Sequence, residues 1–322
     1  MAVTHESPLL ARIGAWSLER YPPPITVINI IVYFTVVGVA KKLFGAEVID
    51  FSMERDILGA IAFSCFPLMI RVFDEHKDYE EDVHNHPDRI LQRGIITLGH
   101  LKAVGAVAIA LQLGISLYLD GGFGIVTQAW LVVMGWSLLM AKEFFLGEWL
   151  EKRLFLYAFT HQMVSPMASY WLVCMAAQSQ SAEPGVFPTE GIWPITFLLM
   201  ASGFAIEVSR KFKAPSQERD TVDSYTKALG IGGAVTTALI FLFAESVLTY
   251  VIIGQIYAPG EMSIVWRILA FVPFVGALPL YLKFKSNPTE DLPKKIEGVS
   301  GLVLLVMHIY ILVALGTHLG FQ

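Results

Sequence analysis

Long apolar segments recur along almost the whole of this 322-residue chain, and they constrain its fold more than any other feature. Hydrophobic residues make up 55% of the sequence, charged residues make up only 16%, and the mean hydropathy is +0.58. Apolar runs of about 20 residues are typical of membrane-spanning helices. We therefore predict an all-α integral membrane protein with nine spans, at about residues 24–44, 56–73, 98–118, 123–141, 154–178, 192–208, 227–253, 263–284 and 297–319.

The connections between the predicted spans are too short to hold a separate soluble domain. Residues 1–322 are therefore predicted to form a single membrane domain. No apolar run precedes a cleavage site near the start of the sequence, so we expect no signal peptide. Residues 8–20 are instead predicted to form a short amphipathic segment on the membrane surface. Cys65 and Cys174 both fall inside predicted spans, which predicts neither a disulfide framework nor a cysteine-based metal site.

Basic residues are distributed unevenly between the two sides of the predicted membrane. With nine spans and an internal N-terminus, 19 of the 23 lysines and arginines lie inside, and the four outside are Lys41, Lys42, Arg55 and Arg267. This asymmetry follows the positive-inside rule. The N-terminus and the two polar segments described below are therefore predicted to be cytoplasmic. The net charge of −5 gives no support to nucleic-acid binding.

Three aspartates stand at four-residue intervals where the second predicted span ends. Asp74, Asp78 and Asp82 occur in DEHKDYEED, and this spacing places three carboxylates on one helical face. Ionisable residues beside a membrane segment usually mark function, and carboxylate oxygens suit an Mg²⁺ ion that also holds a diphosphate. The sequence indicates a membrane enzyme that handles a phosphorylated lipid. The alternative is an ordinary solvated helix end.

The second and sixth predicted spans end in polar turns after unusually short apolar runs. Ile57 to Ile70 and Ile192 to Ile206 are runs of 14 and 15 residues, whereas a helix needs roughly 17–25 residues to cross a membrane. We therefore expect the polar turns to enter a protein-lined cavity rather than lipid. Both turns are predicted on the inner side, where the two segments would form one shared polar pocket.

Basic residues accompany both polar turns. Arg89 and Arg93 follow the aspartates in HNHPDRILQRG, and guanidinium groups form bidentate hydrogen bonds with phosphate oxygens. The alternative is that these arginines only satisfy the positive-inside rule. Glu207, Arg210 and Lys211 form the second cluster. A mixed-charge segment follows it, in which residues 218–220 are expected to be solvated; its members are Lys213, Glu218, Arg219, Asp220, Asp223, Tyr225 and Lys227.

The segment FDEHKDYEEDVHNHPDRILQRGIIT resembles the first signature of the UbiA superfamily of intramembrane prenyltransferases. That signature has Asn or Asp, two aspartates at four-residue steps, and a basic segment that ends in Arg-Gly. The nine spans match as well, so the resemblance extends over nearly the whole chain. It implies a helical bundle with a central cavity, in which Mg²⁺ and a prenyl diphosphate are bound. The isoprenoid chain would pass to an unidentified lipophilic or aromatic acceptor.

The resemblance also implies roles for individual residues. Asp74 takes the place usually held by Asn, and the second signature, normally two aspartates four residues apart, here reads Glu207 and Lys211. A cation thus replaces one carboxylate, which leaves the number of Mg²⁺ ions open. The implied metal ligands are Asp74, Asp78, Asp82 and Glu207, and the implied catalytic residues are the three aspartates with Lys211. The expected substrate-binding residues are Arg89, Arg93, Arg210, Lys211, Tyr225, His161 and Gln162.

Several polar residues lie within the predicted spans. His161 and Gln162 belong to a polar run in the fifth span, and they are predicted to border the acceptor or isoprenoid cavity. Interhelical hydrogen bonding is the alternative. Pro166, close behind, can open the helix. Glu245 and His308 are predicted to pack between helices.

Other functions fit parts of the same pattern. A class I terpene cyclase of the same superfamily would ionise the same diphosphate without an acceptor. A membrane transporter would use intramembrane acids and histidines as an ion path, but the carboxylates here cluster at one face and the halves show no inverted repeat. A CDP-alcohol phosphotransferase needs a Gly and an Ala-Arg pair between its aspartates, and DEHKDYEED has neither.

Overall fold

The computed structural model describes residues 3–180, 186–219, 224–257 and 264–316, together with the backbone of 319–321. Most of this described part is helical, and its one sheet pairs β1 (Ile49–Phe51) with β2 (Leu319–Phe321). The α-helices of the described part are α1 (Leu9–Arg20), α2 (Pro23–Leu43), α3 (Arg55–Lys77), α4 (Tyr79–Asn85), α5 (Leu98–Asp120), α6 (Ile125–Ala141), α7 (Gly147–Glu151), α8 (Leu154–Gln162), α9 (Val164–Gln180), α10 (Trp193–Arg210), α11 (Tyr225–Ile256), α12 (Ile264–Ile268), α13 (Val272–Ser286) and α14 (Leu292–Leu315).

Each predicted span coincides with a helix or a pair of helices. Among the described residues, six helical segments of 21 to 32 residues are long and apolar enough to cross a membrane: α2, α3, α5, α11, the α12–α13 pair and α14. The other three predicted spans correspond to α6, α10 and the α8–α9 pair. The all-α membrane fold is thus confirmed. The ninth prediction runs too far, because α14 ends at Leu315 and the strand β2 follows at Leu319.

The fifth predicted span is broken into α8 and α9 at Met163. Pro166 explains the position of the break. Proline has no backbone N–H, so the carbonyl of Gln162, four residues earlier, loses its helical donor. The expectation that Pro166 opens this helix is therefore confirmed.

The helices pack into two compact units, and the first contains Met1–Phe34 and Phe51–Phe145. Its α1 is the predicted amphipathic segment. Trp16 is fully buried on one face of α1 and packs in a cluster with Val72 of α3 and Leu101 of α5, whereas Leu10 is 82% exposed. The Arg12 guanidinium also donates to the carbonyl oxygen of Ile95 at 3.1 Å. These contacts fix α1 against the end of α3 and the loop that precedes α5.

The second unit contains Thr35–Asp50 and Leu146–Gln322. Buried residues of α10, α11, α13 and α14 form its core, where a hydrogen-bond chain joins the Ser209, Tyr281 and Ser300 hydroxyls over distances of 2.8 and 2.7 Å. Glu245 of α11 and His308 of α14 are fully buried in this unit. Their predicted location inside the helix packing is correct.

Candidate functional site

The three aspartates of the first cluster lie on successive helical turns. The backbone N–H of Asp78 donates to the Asp74 carbonyl oxygen at 2.8 Å, and that of Asp82 donates to the Asp78 carbonyl oxygen at the same distance. Asp78 itself has φ −94° and ψ 8°, which ends α3 and begins α4. The three residues therefore lie on successive hydrogen-bonded turns across the junction of α3 and α4. A shared face for their carboxylates stays a prediction.

Each aspartate lies beside a basic side chain. Arg71 is 3.8 Å from Asp74, and Lys77 is 3.7 Å from Asp78. Asp82 accepts a 2.5 Å hydrogen bond from Arg89. The Asp74 and Asp78 side chains are 39% and 40% exposed, whereas Asp82 is only 14% exposed. The first two carboxylates are thus the ones that a ligand can reach.

Asp78 lies in a crowded electrostatic environment at the end of α3. Burial raises the pKa of its carboxyl group above the ordinary value, the neighbouring Lys77 lowers it, and the carboxylates of Asp82 and Glu143 raise it further. A raised pKa means that the negative form is poorly compensated at this position. An added cation would therefore stabilise the ionised carboxylate.

A buried carboxylate that the sequence did not single out joins α1 to this cluster. Glu75 of α3 is 1% exposed, and its Oε1 atom accepts from Arg20 of α1 at 2.5 Å and from Arg71 at 2.9 and 3.0 Å. Arg20 also lies 3.9 Å from Asp82. Arg20 and Arg71 are therefore held beside the aspartates by a buried carboxylate.

The basic loop after α4 is a series of turns rather than a helix. The Arg93 N–H donates to the Arg89 carbonyl oxygen at 2.9 Å, and Gly94 then takes the left-handed conformation with φ +73°. Glycine adopts this conformation without a steric cost. Arg89 is partly buried against Asp82, whereas Arg93 is exposed. The two arginines therefore have different surroundings, and Arg89 is in contact with the cluster.

The second cluster is a compact group of charges at the end of α10. Glu207 is 9% exposed. Its Oε2 atom accepts from Arg210 at 2.6 Å, and its Oε1 atom lies 3.0 Å from the Lys211 ammonium. Both carboxylate oxygens thus face cations. A metal ion at Glu207 would first have to displace one of these side chains.

Lys211 adjoins an aromatic pair that the sequence analysis did not identify. Its ammonium lies 5.8 Å from the centre of the Tyr157 ring, and that ring stacks on the His161 ring at 4.1 Å. The Gln162 Oε1 atom lies 3.3 Å from the Ser165 hydroxyl. It also packs against α10, where a Cβ atom at Gly203 would lie too close to it and Gln162 would have to shift. His161 and Gln162 both contact protein groups of the second unit. The cavity predicted beside them stays a prediction.

Tyr225 begins α11 next to the second cluster. It is 1% exposed, and its backbone N–H donates to the Lys211 carbonyl oxygen at 3.3 Å.

Glu218 was expected to be solvated, and this interpretation is wrong. Its carboxylate accepts from the Ser224 and Thr226 hydroxyls at 2.7 Å each, because these hydroxyls lie at the start of α11. Asp220 and Asp223 lie outside the described residues.

The donor set of the first cluster is compatible with Mg²⁺. Within the described ranges, no group of three or more His, Cys, Asp or Glu side chains converges as a metal site. The aspartates stand one turn apart, and each adjoins a basic group, so they do not meet at one point. Mg²⁺ usually takes only one or two protein carboxylates, with water and substrate phosphates as its other ligands. Accessible oxygens of Asp74 and Asp78 meet that requirement.

Comparison with known proteins gives similarity in fold alone. No family model matches the sequence, and no curated protein matches it. A UbiA homologue from Aeropyrum pernix K1 has a TM-score of 0.63 at 14% identity, and the match covers 89% of this chain and 97% of the homologue. A UbiA homologue from Archaeoglobus fulgidus has a TM-score of 0.55 at 12% identity, with 94% and 99% covered.

A third solved structure concerns digeranylgeranylglyceryl phosphate synthase in membranes. It has a TM-score of 0.59 at 15% identity, and the match covers 95% of this chain and 99% of the synthase chain. At such low identity the likeness establishes the architecture. The protein is a multi-pass helical membrane protein. More particularly, its fold is that of the UbiA homologues.

Proposed function

We propose that this protein is an Mg²⁺-dependent intramembrane prenyltransferase of the UbiA superfamily. It transfers an isoprenoid chain from a prenyl diphosphate to a lipophilic or aromatic acceptor. The observation that carries the proposal is the position of Asp74, Asp78 and Asp82. They occupy successive turns at the end of a membrane-length helix, in a chain with the UbiA fold. We further propose that the N-terminus and both clusters lie on the cytoplasmic side.

The chemistry of the first cluster supports this assignment. Asp74 and Asp78 would hold Mg²⁺, and Asp82 is proposed as a further metal ligand. Bound Mg²⁺ neutralises diphosphate charge and so makes diphosphate a better leaving group. Arg71 and Arg89 lie within 4 Å of these aspartates, where their guanidinium groups can donate to phosphate oxygens. Donors held in place before the reaction stabilise charge without reorganisation in the transition state.

The second cluster carries two cations, Arg210 and Lys211, around Glu207. Lys211 and Arg210 are proposed to bind diphosphate oxygens, and Glu207 is the one carboxylate that the second signature retains for a metal. A protonated lysine has donors and no acceptor, so Lys211 cannot itself ligate Mg²⁺. It can replace the charge of a second metal ion. Tyr225, buried beside this cluster, and Arg93, exposed on the basic loop, are the remaining proposed substrate contacts.

His161 and Gln162 are proposed to border the acceptor or the isoprenoid tail. The support for this role is their position: they end α8 at the Pro166-dependent break, and the stacked Tyr157 ring connects His161 to Lys211. An imidazole near neutral pH can take the proton of an acceptor.

The experiment incubates the purified full chain with prenyl diphosphates of several lengths, with and without candidate acceptors. Diphosphate release and lipid products are measured in parallel. We expect Asp78→Ala and Asp82→Ala to reduce turnover at least about a hundredfold, as the loss of metal and positioning effects usually does. Glu80→Ala is the matched control, since Glu80 is an exposed acid in α4, and it should keep normal turnover.

The outcomes separate the proposal from its rivals. Diphosphate release that needs no acceptor and yields cyclic products would identify a terpene cyclase instead. Near-normal turnover in both aspartate variants would refute the central role of the first cluster. Absence of any prenyl diphosphate turnover would refute the enzymatic proposal as a whole.

A further inference from the structure

An unusual turn follows α6 at the end of the first unit, and α7 begins the next stretch of the chain. Glu143, Phe144 and Phe145 have φ values of 49°, 53° and 58°, and none of them is glycine. The left-handed conformation brings the Cβ atom of an L-residue too close to the backbone, so such residues occur singly rather than in runs. A run of three persists only when its surroundings hold it, and such strain is often found at functional positions.

The contacts of this turn show what it accomplishes. Glu143 forms a 2.7 Å ion pair with Lys77 at the end of α3. The Phe144 ring packs edge-on against Trp136 of α6, with 5.2 Å between ring centres. Phe145 is 77% exposed. The turn therefore directs the Glu143 carboxylate to the lysine that precedes Asp78.

Lys77 is thereby held beside the first aspartate cluster. Its ammonium lies 2.7 Å from Glu143 and 3.7 Å from Asp78, and its side chain is only 22% exposed. A lysine side chain has many rotamers, and fixing one of them costs conformational entropy. The Glu143 carboxylate provides that fixation. Without it, the ammonium can pair with Asp78, 3.7 Å away, and this pairing would occupy a carboxylate that the metal needs.

We propose that Glu143 is a positioning residue that acts through Lys77. It holds the ammonium next to Asp78 so that Lys77 donates to a diphosphate oxygen while Asp78 stays available to the metal ion. This inference rests on the proposed function. It adds Lys77 and Glu143, which are not among the aspartates of the signature, to the proposed diphosphate site. It also assigns a function to the strained turn, which is to place the Glu143 carboxylate beside Lys77.

The test measures binding of magnesium pyrophosphate to the detergent-solubilised full chain by calorimetry. We expect Glu143→Gln and Lys77→Met each to weaken binding about tenfold, as expected for the loss of one charge-assisted hydrogen bond. The double variant should bind no more weakly than Lys77→Met alone, because both changes remove the same contact. In turnover assays the KM for the prenyl diphosphate should rise about tenfold while kcat changes less than about threefold.

Two controls address folding and the local charge. Glu148→Gln changes an exposed acid five residues further along the same connection, and it should bind pyrophosphate like the wild type. Glu143→Asp keeps the charge and tolerates the left-handed conformation better, so it should recover part of the binding. Thermal unfolding in detergent identifies a variant that fails to fold, in which case Lys77→Met and Glu143→Asp still decide the question.

The outcomes distinguish this inference from the function on which it rests. Wild-type protein that binds magnesium pyrophosphate, together with a Glu143→Gln variant that binds it equally well, refutes the positioning role alone. Losses that multiply in the double variant also refute it, because Glu143 would then act independently of Lys77. Wild-type protein that neither binds pyrophosphate nor turns over a prenyl diphosphate refutes both proposals.

Discussion

Glu75 is the residue whose removal should most directly disturb the first cluster without touching an aspartate. It is buried in α3 between Asp74 and Asp78 in sequence, and one of its oxygens accepts from two arginines, at 2.5 Å from Arg20 and at 2.9 and 3.0 Å from Arg71. Glu75→Ala therefore leaves two guanidinium groups without their shared acceptor. It also removes an ion pair between α1 and α3.

The expected decrease in the free energy of unfolding of Glu75→Ala follows from the geometry of these ion pairs. Removal of one partner from a buried ion pair costs about 3–5 kcal/mol. The Arg20 and Arg71 side chains are 15% and 25% exposed, and each has a second carboxylate within 4 Å. Both arginines can therefore be partly compensated, which brings the expected loss of folding free energy just below that range, to about 2–3 kcal/mol. Glu75→Gln keeps an acceptor oxygen but loses the charge, so its free energy of unfolding should decrease by only about 1–2 kcal/mol.

The assay compares the free energy of unfolding in mixed detergent micelles for the wild type, Glu75→Ala and Glu75→Gln. Limited trypsin digestion provides a local readout, because cleavage after Arg12 or Arg20 reports release of α1. Cleavage should be faster in Glu75→Ala. Glu80→Ala, an exposed acid of α4, is the control for loss of charge alone. A Glu75→Ala protein within about 0.5 kcal/mol of the wild type, with unchanged cleavage of α1, would contradict this account of the ion pair.

Two further predictions concern the second unit. Glu245→Met should raise the free energy of unfolding by about 1 kcal/mol or more, since a buried acid is replaced by an apolar side chain of similar size. Glu245 is fully buried, and neither of its carboxylate oxygens has a hydrogen-bond partner among the described residues. A lower unfolding temperature of the variant in detergent would contradict this. Lys211→Arg should keep part of the turnover. Lys211→Asp should either abolish turnover or bind a second Mn²⁺ ion, which electron paramagnetic resonance can count. Unchanged turnover in Lys211→Met would show that this lysine has no role.

The sequence predicted features that depend on local chemistry. The apolar runs identified the helices, and the four-residue spacing identified aspartates on successive turns, because both patterns follow from helix geometry alone. Pro166 likewise indicated the break between α8 and α9, since a missing N–H acts on the carbonyl four residues earlier. These predictions needed no knowledge of which helices are neighbours.

The partners of the site residues were not predictable in this way. Arg20 and Glu75 are 55 positions apart, and only the packing of α1 against α3 brings them together. The sequence KEFF at 142–145 contains neither Gly nor Asn, so nothing in it indicates a left-handed turn. Glu218 resembled a solvated loop residue, yet it binds hydroxyls at the start of the next helix. In each case the decisive contact is tertiary.

The pairing of the aspartates with basic residues has a consequence for how a substrate enters. Asp74, Asp78 and Asp82 each adjoin a basic side chain. A cation alone must compete with these groups, and a diphosphate alone must approach three carboxylates. If the protein has the proposed function, a magnesium diphosphate complex provides a partner for both kinds of side chain. The carboxylates bind the metal, while the lysine and arginines bind phosphate oxygens. Ion pairs are then exchanged rather than lost, so metal and diphosphate should each bind more tightly in the presence of the other.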